Sequence, residues 1–127
     1  MPKLEYFVIA ESVSVDQSTN RISFFNVLEE VHTPKFPVLI PQLVVVAAWN
    51  AEEGDLGSDF QSTIIFPLPD GKSKEFSQHF QMTRPRHRTI ANLVGLSFEN
   101  PGIVKFKIQL NGKHAASHTI DIHKVEA

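Results

Sequence analysis

The chain has 127 residues, 42% of them hydrophobic and 20% charged, with no cysteine and a formal charge of −2. That length fits one domain, and the surface scaling of folded chains lets it bury about two-thirds of its unfolded area without staples. Val and Ile total 22 against 9 Leu and 8 Ala, with 10 Phe. This balance favours pleated sheet and excludes disorder, collagen, coiled coil and a disulfide scaffold.

Met1–Glu5 and the five apolar residues Tyr6–Ala10 fall short of a secretory signal. The longest apolar stretch, Leu43–Trp49, is far below the roughly 20 residues of a membrane-spanning helix. With the missing cysteines, these features give a cytoplasmic expectation. A pI near 6.3 argues against a dedicated nucleic-acid binder.

Turn signals recur along the chain at Asp16–Asn20, Pro34–Pro41, Gly54–Ser58, Pro69–Gly71, Thr83–Pro85, Asn100–Gly102 and Asn111-Gly112. They delimit about eight runs at the spacing of an all-β sandwich or barrel. No segment sustains a helical apolar repeat. Tyr6–Ala10, Phe24-Phe25 with Val27-Leu28, and Leu43–Trp49 are apolar without alternation, as in strands covered on both faces. A two-sheet sandwich covers one face of each strand, so the second face needs a cover, either the Pro34–Pro41 segment or another subunit. This surplus predicts a homo-oligomer, with Leu43, Val44, Val45, Val46 and Trp49 as its surface.

Later runs alternate. Phe60, Ser62, Ile64, Phe66 and Leu68 share one parity, as do Phe76, Gln78, Phe80 and Met82, and Val104, Phe106, Ile108 and Leu110. For the hairpin at Asn111-Gly112, cross-strand partners share a face only if their numbers have an even sum. That predicts a three-residue loop with left-handed Gly112 and an adjacent bulge, rather than a two-residue turn.

The segment Leu96–Lys113 looks like the last hairpin of bacterial immunoglobulin-like domains: apolar strand, Pro-Gly corner, alternating strand and Asn-Gly turn. Where such domains often place an aromatic after the Pro-Gly, this chain has Ile103 and Val104. Over Val8–Ser12, Arg21–Val27, Phe36–Val44 and Leu68–Gly71 the chain also resembles an uncharacterised family of small bacterial single-domain proteins. The resemblance implies a two-sheet antiparallel immunoglobulin-like β-sandwich of about eight strands. It brings no activity with it.

Three constellations could carry chemistry. Arg84, Arg86 and Arg88 alternate around Pro85 and His87, spacing guanidiniums about 7 Å apart on one strand face, with Lys72 and Lys74 expected nearby. They form either an anion or partner site or charges that keep an edge strand from pairing. Glu52, Glu53, Asp55 and Asp59 supply four carboxylates in a Gly-bearing loop, either a hard-cation site or a solvated hairpin loop. Among the histidines, His114 and His118 would sit about 13 Å apart on a strand, too far to share one zinc. His123 has the opposite parity, while His32 and His79 stand alone in sequence.

No nucleophile elbow, phosphate-cradling glycine loop or cysteine nucleophile is present. The sequence predicts a non-enzymatic binding or assembly protein that acts through a protein–protein surface, on a second copy or another protein, without a cofactor. The second reading is a small-ligand or anion-binding domain using Arg84–Arg88, and the third is a hydrolase with an unrecognised site.

Overall fold

A computed structural model describes residues 1–126. Its nine strands are β1 (Lys3–Val15), β2 (Ile22–Val27), β3 (Glu30–Thr33), β4 (Val38–Asn50), β5 (Asp59–Pro67), β6 (Ser73–Gln81), β7 (Arg86–Phe98), β8 (Gly102–Leu110) and β9 (Lys113–Lys124). They form a four-stranded sheet of order β2-β1-β4-β7 and a five-stranded sheet of order β3-β9-β8-β5-β6. The described residues include no helix long and apolar enough to cross a membrane.

The ninth strand arises because the expected Arg21–Thr33 run splits where the chain changes sheets. The Leu28 amide donates to Ile9 O of β1 at 2.8 Å, and Glu29 O accepts from the Asp121 amide of β9 at 2.8 Å. His118 Nε2 lies 2.6 Å from Leu28 O and donates to it, tying the crossing to β9. Beyond the crossing, β3 runs parallel to β9, so the sandwich is not antiparallel throughout. The expected break at Pro34–Pro41 also shortens, since β4 begins at Val38. Pro41 is tolerated inside β4 because the β1 ladder ends at Ala10↔Val44, leaving β7 as its only neighbour there.

The side-chain alternation of β4 and β7 reverses together around Pro41 and Gly95. Leu43, Val45, Ala47 and Trp49 point into the core with Ala91, and so do Ile40, Leu96 and Phe98 beyond the reversal. Gly95 takes φ +71°, a left-handed conformation that glycine adopts without a Cβ penalty. The hairpin at Asn111-Gly112 corrects the expected three-residue loop. Leu110 pairs with Lys113 across a two-residue turn whose φ values are 49° and 78°. The register then shifts between Ile108 and Gln109, restoring the even sum through Phe106↔His118 and Val104↔Ile120. The bulge sits in the strands, not in the loop.

The surplus of apolar residues is hidden within one chain. Leu43, Val44, Val45, Val46 and Trp49 are at most 4% exposed, so they offer no surface to a second subunit. The inner face of β4 meets the five-stranded sheet through Ile64, Phe106, Ile108 and Ile120. Its outer face, with Val44, Val46 and Ala48 buried, lies under the chain's own β1–β2 hairpin. The β1·β2 ladder skips Glu11·Asn26, where Asn26 takes φ 55°, and the hairpin turns back over its own sheet. Phe24 then meets Tyr6 edge-on at 5.7 Å, and the tip residue Asn20 reaches Arg88 on β7. The Pro34–Pro41 segment does not serve as this cover: Phe36 and Val38 pack against the inner core.

One buried polar chain joins the sheets. Trp49 Nε1 donates to Thr89 Oγ1 at 3.2 Å, and Thr89 Oγ1 lies 3.1 Å from Ser62 Oγ of β5. All three residues are 1% exposed, so each polar group depends on this contact. Replacing Thr89 by Val keeps the shape but strands the indole N–H and the Ser62 hydroxyl. Chemical denaturation of Thr89→Val is expected to show a loss of about 2–4 kcal/mol, and a loss below about 0.5 kcal/mol would contradict this role.

Candidate functional site

The fold-back of the β1–β2 hairpin leaves a cleft of about 630 Å³ between the hairpin tip and the outer face of β1, β4 and β7. Its floor includes Tyr6, Ala48 and Ile90, and its rim carries Arg21, Arg84, Arg86 and Arg88 against the carboxylate of Glu5. Four guanidiniums thus face one acid, in a chain whose net charge is −2.

The arginines reach the cleft from two parts of the chain. Arg86 and Arg88 pair with Asn50 and Ala48 of β4, which puts them on the outer face. Arg84 lies in the bend before β7, held where Pro85 O accepts the Ala51 amide at 2.8 Å. Arg21 enters from the hairpin tip, whose turn is built by Asp16. The Asp16 carboxylate accepts from the Ser18 amide at 2.8 Å, the Ser18 hydroxyl at 2.8 Å and the Thr19 amide at 3.0 Å. These bonds, the Ser18 hydroxyl first, hold its carboxyl below the usual aspartate value of 3.8.

Two guanidiniums already have partners. Arg88 donates to Asn20 O at 2.7 Å, latching the hairpin tip to β7. Arg86 lies 3.2 Å from Glu5. Among the described residues Arg21 and Arg84 make no ion pair. The Arg84–Arg88 alternation therefore located three of the four cations. Arg21 was missed because only the fold-back brings it there, although its place beside the Asp16–Asn20 turn put it at a hairpin tip.

His87 also lines the cleft, but its ring does not join the arginines: the residue pairs with Trp49 and its ring stacks on Phe80 at 4.0 Å and 4°. Its Nε2 is buried without a hydrogen-bond partner. Lys72 and Lys74 also lie elsewhere: Lys74 pairs with Phe66 while Gln81, seven residues on, pairs with Asp59, placing the lysines about 23 Å away along β6.

The acidic loop folds into its own turn and forms no cation cage. Asp55, 5% exposed, accepts the Glu52 amide at 2.7 Å and lies 3.3 Å from the Met1 amine. Glu52 lies 3.7 Å from Lys3 Nζ, and Asp59 pairs with Gln81 in the ladder. Glu52, Glu53, Asp55 and Asp59 thus do not converge. Among the described residues, the metal-type grouping is instead Glu30, Asp121 and His123.

Burial of the His87 ring lowers its pKa from the ordinary 6.5. A lowered native value means the unfolded chain takes the proton first. The ring's contribution to stability is whole above about pH 6.5 and is lost as pH falls through the lower native value. His87→Phe keeps a flat ring on Phe80 but does not titrate. Between about pH 7.5 and about pH 5, its melting temperature is expected to fall less than that of the parent chain. Equal falls would show that His87 is not a titrating strut.

Comparison with known proteins adds fold and family. No curated protein matches the chain. A solved structure of Pseudomonas fluorescens alkylpurine DNA glycosylase AlkC, bound to DNA containing an abasic site analog, is similar with a TM-score of 0.59 and 7% identity. The likeness covers 96% of this chain but 30% of that one, so the chain spans under a third of that protein and shares its fold there. The match that carries classification is to a family of unknown function, over residues 5–123. The chain belongs to that family, DUF6941.

Proposed function

We propose that the protein is a non-enzymatic binding module whose arginine cleft takes a small anionic ligand bearing phosphate or clustered carboxylates. The observation that carries this reading is the convergence of Arg21, Arg84, Arg86 and Arg88 on one cleft from two segments far apart in the chain, the hairpin tip and the Arg84–Arg88 stretch. Planar guanidiniums match phosphate and carboxylate oxygens in pairs. Arg86 and Arg88 are committed to Glu5 and Asn20 and shape the wall, which leaves Arg21 and Arg84 to grip the ligand. The apolar surplus that pointed to a homo-oligomer is absorbed by the hairpin, and the reading through a protein–protein surface loses its motive.

The sandwich itself reads as immunoglobulin-like once β1 and β2 are set apart. The core strands β4 and β7 pair in one sheet, β5, β8 and β9 in the other, and β3 joins β9. The missing cysteines fit a reducing compartment such as the cytoplasm. The similar AlkC structure was bound to DNA, but the likeness is one of fold, and a pI near 6.3 argues against a dedicated duplex binder.

Calorimetric titration tests the reading with two probes, sodium pyrophosphate and a short DNA duplex. Pyrophosphate is expected to bind once per chain and to weaken with added salt. Arg21→Glu with Arg84→Glu should reduce that affinity at least about tenfold, since each charge-assisted contact is worth about 1.5–3 kcal/mol. Thermal unfolding should stay unchanged. Equal affinity in the double variant, or no binding by the parent chain, would overturn the proposal. Duplex binding far tighter than pyrophosphate binding would move the ligand class to nucleic-acid backbone.

A further inference from the structure

The opposite face of the molecule carries a second constellation, independent of the cleft. Strand β3 lies parallel to β9 with Glu30 opposite Asp121 and His32 opposite His123. Partners across a ladder are about 4.8 Å apart, and alternate residues of one strand about 6.6 Å apart on the same face. The four side chains therefore stand at the corners of a small rectangle on the solvent face of the five-stranded sheet. Carboxylate oxygens of Glu30 and Asp121 and a ring nitrogen of His123 all lie within 4.8 Å of one another. His32 stacks on His123 with ring centroids 5.1 Å apart and brings Nε2 to 3.4 Å from Glu30.

Two features set this cluster apart from ordinary exposed charge. Glu30 and Asp121 are direct cross-strand partners, an arrangement of like charges that weakens a sheet. Among the described residues no lysine or arginine forms an ion pair with either. The neighbours on that face are Ile103, opposite Asp121 on β8, and Lys105, opposite Thr119 one step along. The strand that needs holding is also the shortest, with four residues paired only to β9. A cation between the carboxylates would convert the repulsion into a clamp on β3.

We propose that Glu30, Asp121 and His123 form a zinc-type divalent metal site pinning β3 to β9, with His32 beside it holding Glu30. Mixed imidazole and carboxylate donors suit zinc, whereas calcium and magnesium take oxygen donors. Zinc–ligand bonds of about 2.0–2.2 Å require the side chains to close inward, and Glu30 and His123 are both exposed and free of core packing that would prevent it.

The test is calorimetric titration of the chelator-treated chain with zinc chloride, with thermal unfolding in parallel. The parent chain should bind one zinc and melt higher with it, and excess calcium should not compete. His123→Ala and Asp121→Asn should each weaken zinc at least about tenfold. His79→Ala, a histidine on β6 in the same sheet, should bind as the parent does. Glu30→Gln supplies the sharper readout. In chelator it should melt at or above the parent because the like-charge pair is gone, and in zinc it should melt below it. Absence of one-to-one binding, binding that survives His123→Ala and Asp121→Asn, or a Glu30→Gln variant less stable than the parent in chelator would overturn the proposal.

Discussion

The structure depends on a central strand that is apolar on both faces. From Leu43 to Trp49, β4 offers no polar side chain to water, and each of these residues is buried or nearly so. The five-stranded sheet dries one face. Drying the other falls to the β1–β2 hairpin, which leaves the plane of its own sheet where Asn26 adopts a left-handed backbone and brings Phe24 onto Tyr6. Burial of apolar surface, worth roughly 25 cal/mol per Å², is the force that bends the hairpin over. The arginine cleft is the space this bend leaves open.

That cover has a polar seam. Arg88 reaches from β7 to the carbonyl of Asn20, so a single side chain both latches the hairpin and lines the cleft. Arg86 is held by Glu5, the residue before Tyr6 in β1. Arg86 and Arg88 on the rim are thereby tied to the sheet and the hairpin, while Arg21 rides on the hairpin tip. In the proposed role, a ligand bridging Arg21 and Arg84 would tie the hairpin tip to the bend before β7.

Much of the sheet was legible in the sequence. Alternation in Phe60–Leu68 and Val104–Leu110 marked β5 and β8, because a strand with one wet face writes period two into its residues. The Asn-Gly turn was legible as a hairpin, but its loop length was not: the even register at Phe106↔His118 is restored by a bulge within the strands, and a bulge leaves no fixed mark in composition. The apolar excess of Leu43–Trp49 correctly demanded a second cover. Its source was hidden, since Phe24 meeting Tyr6 is a tertiary contact that local patterning does not encode. The same holds for Arg21 in the cleft and for Glu30 beside Asp121, which the parallel β3·β9 pairing joins from opposite ends of the chain.

The hairpin is both the lid of the core and the wall of the cleft, so the most direct test follows both at once. Amide hydrogen exchange resolved by residue, with and without pyrophosphate, reads them separately. Amides of Val44–Ala48 should exchange only through global unfolding in either condition, since both faces of β4 are covered. Those of Asp16–Arg21 should exchange earlier without the anion and slow when it binds. Rapid exchange across Val44–Ala48, or pyrophosphate protection that bypasses the hairpin tip, would contradict the account.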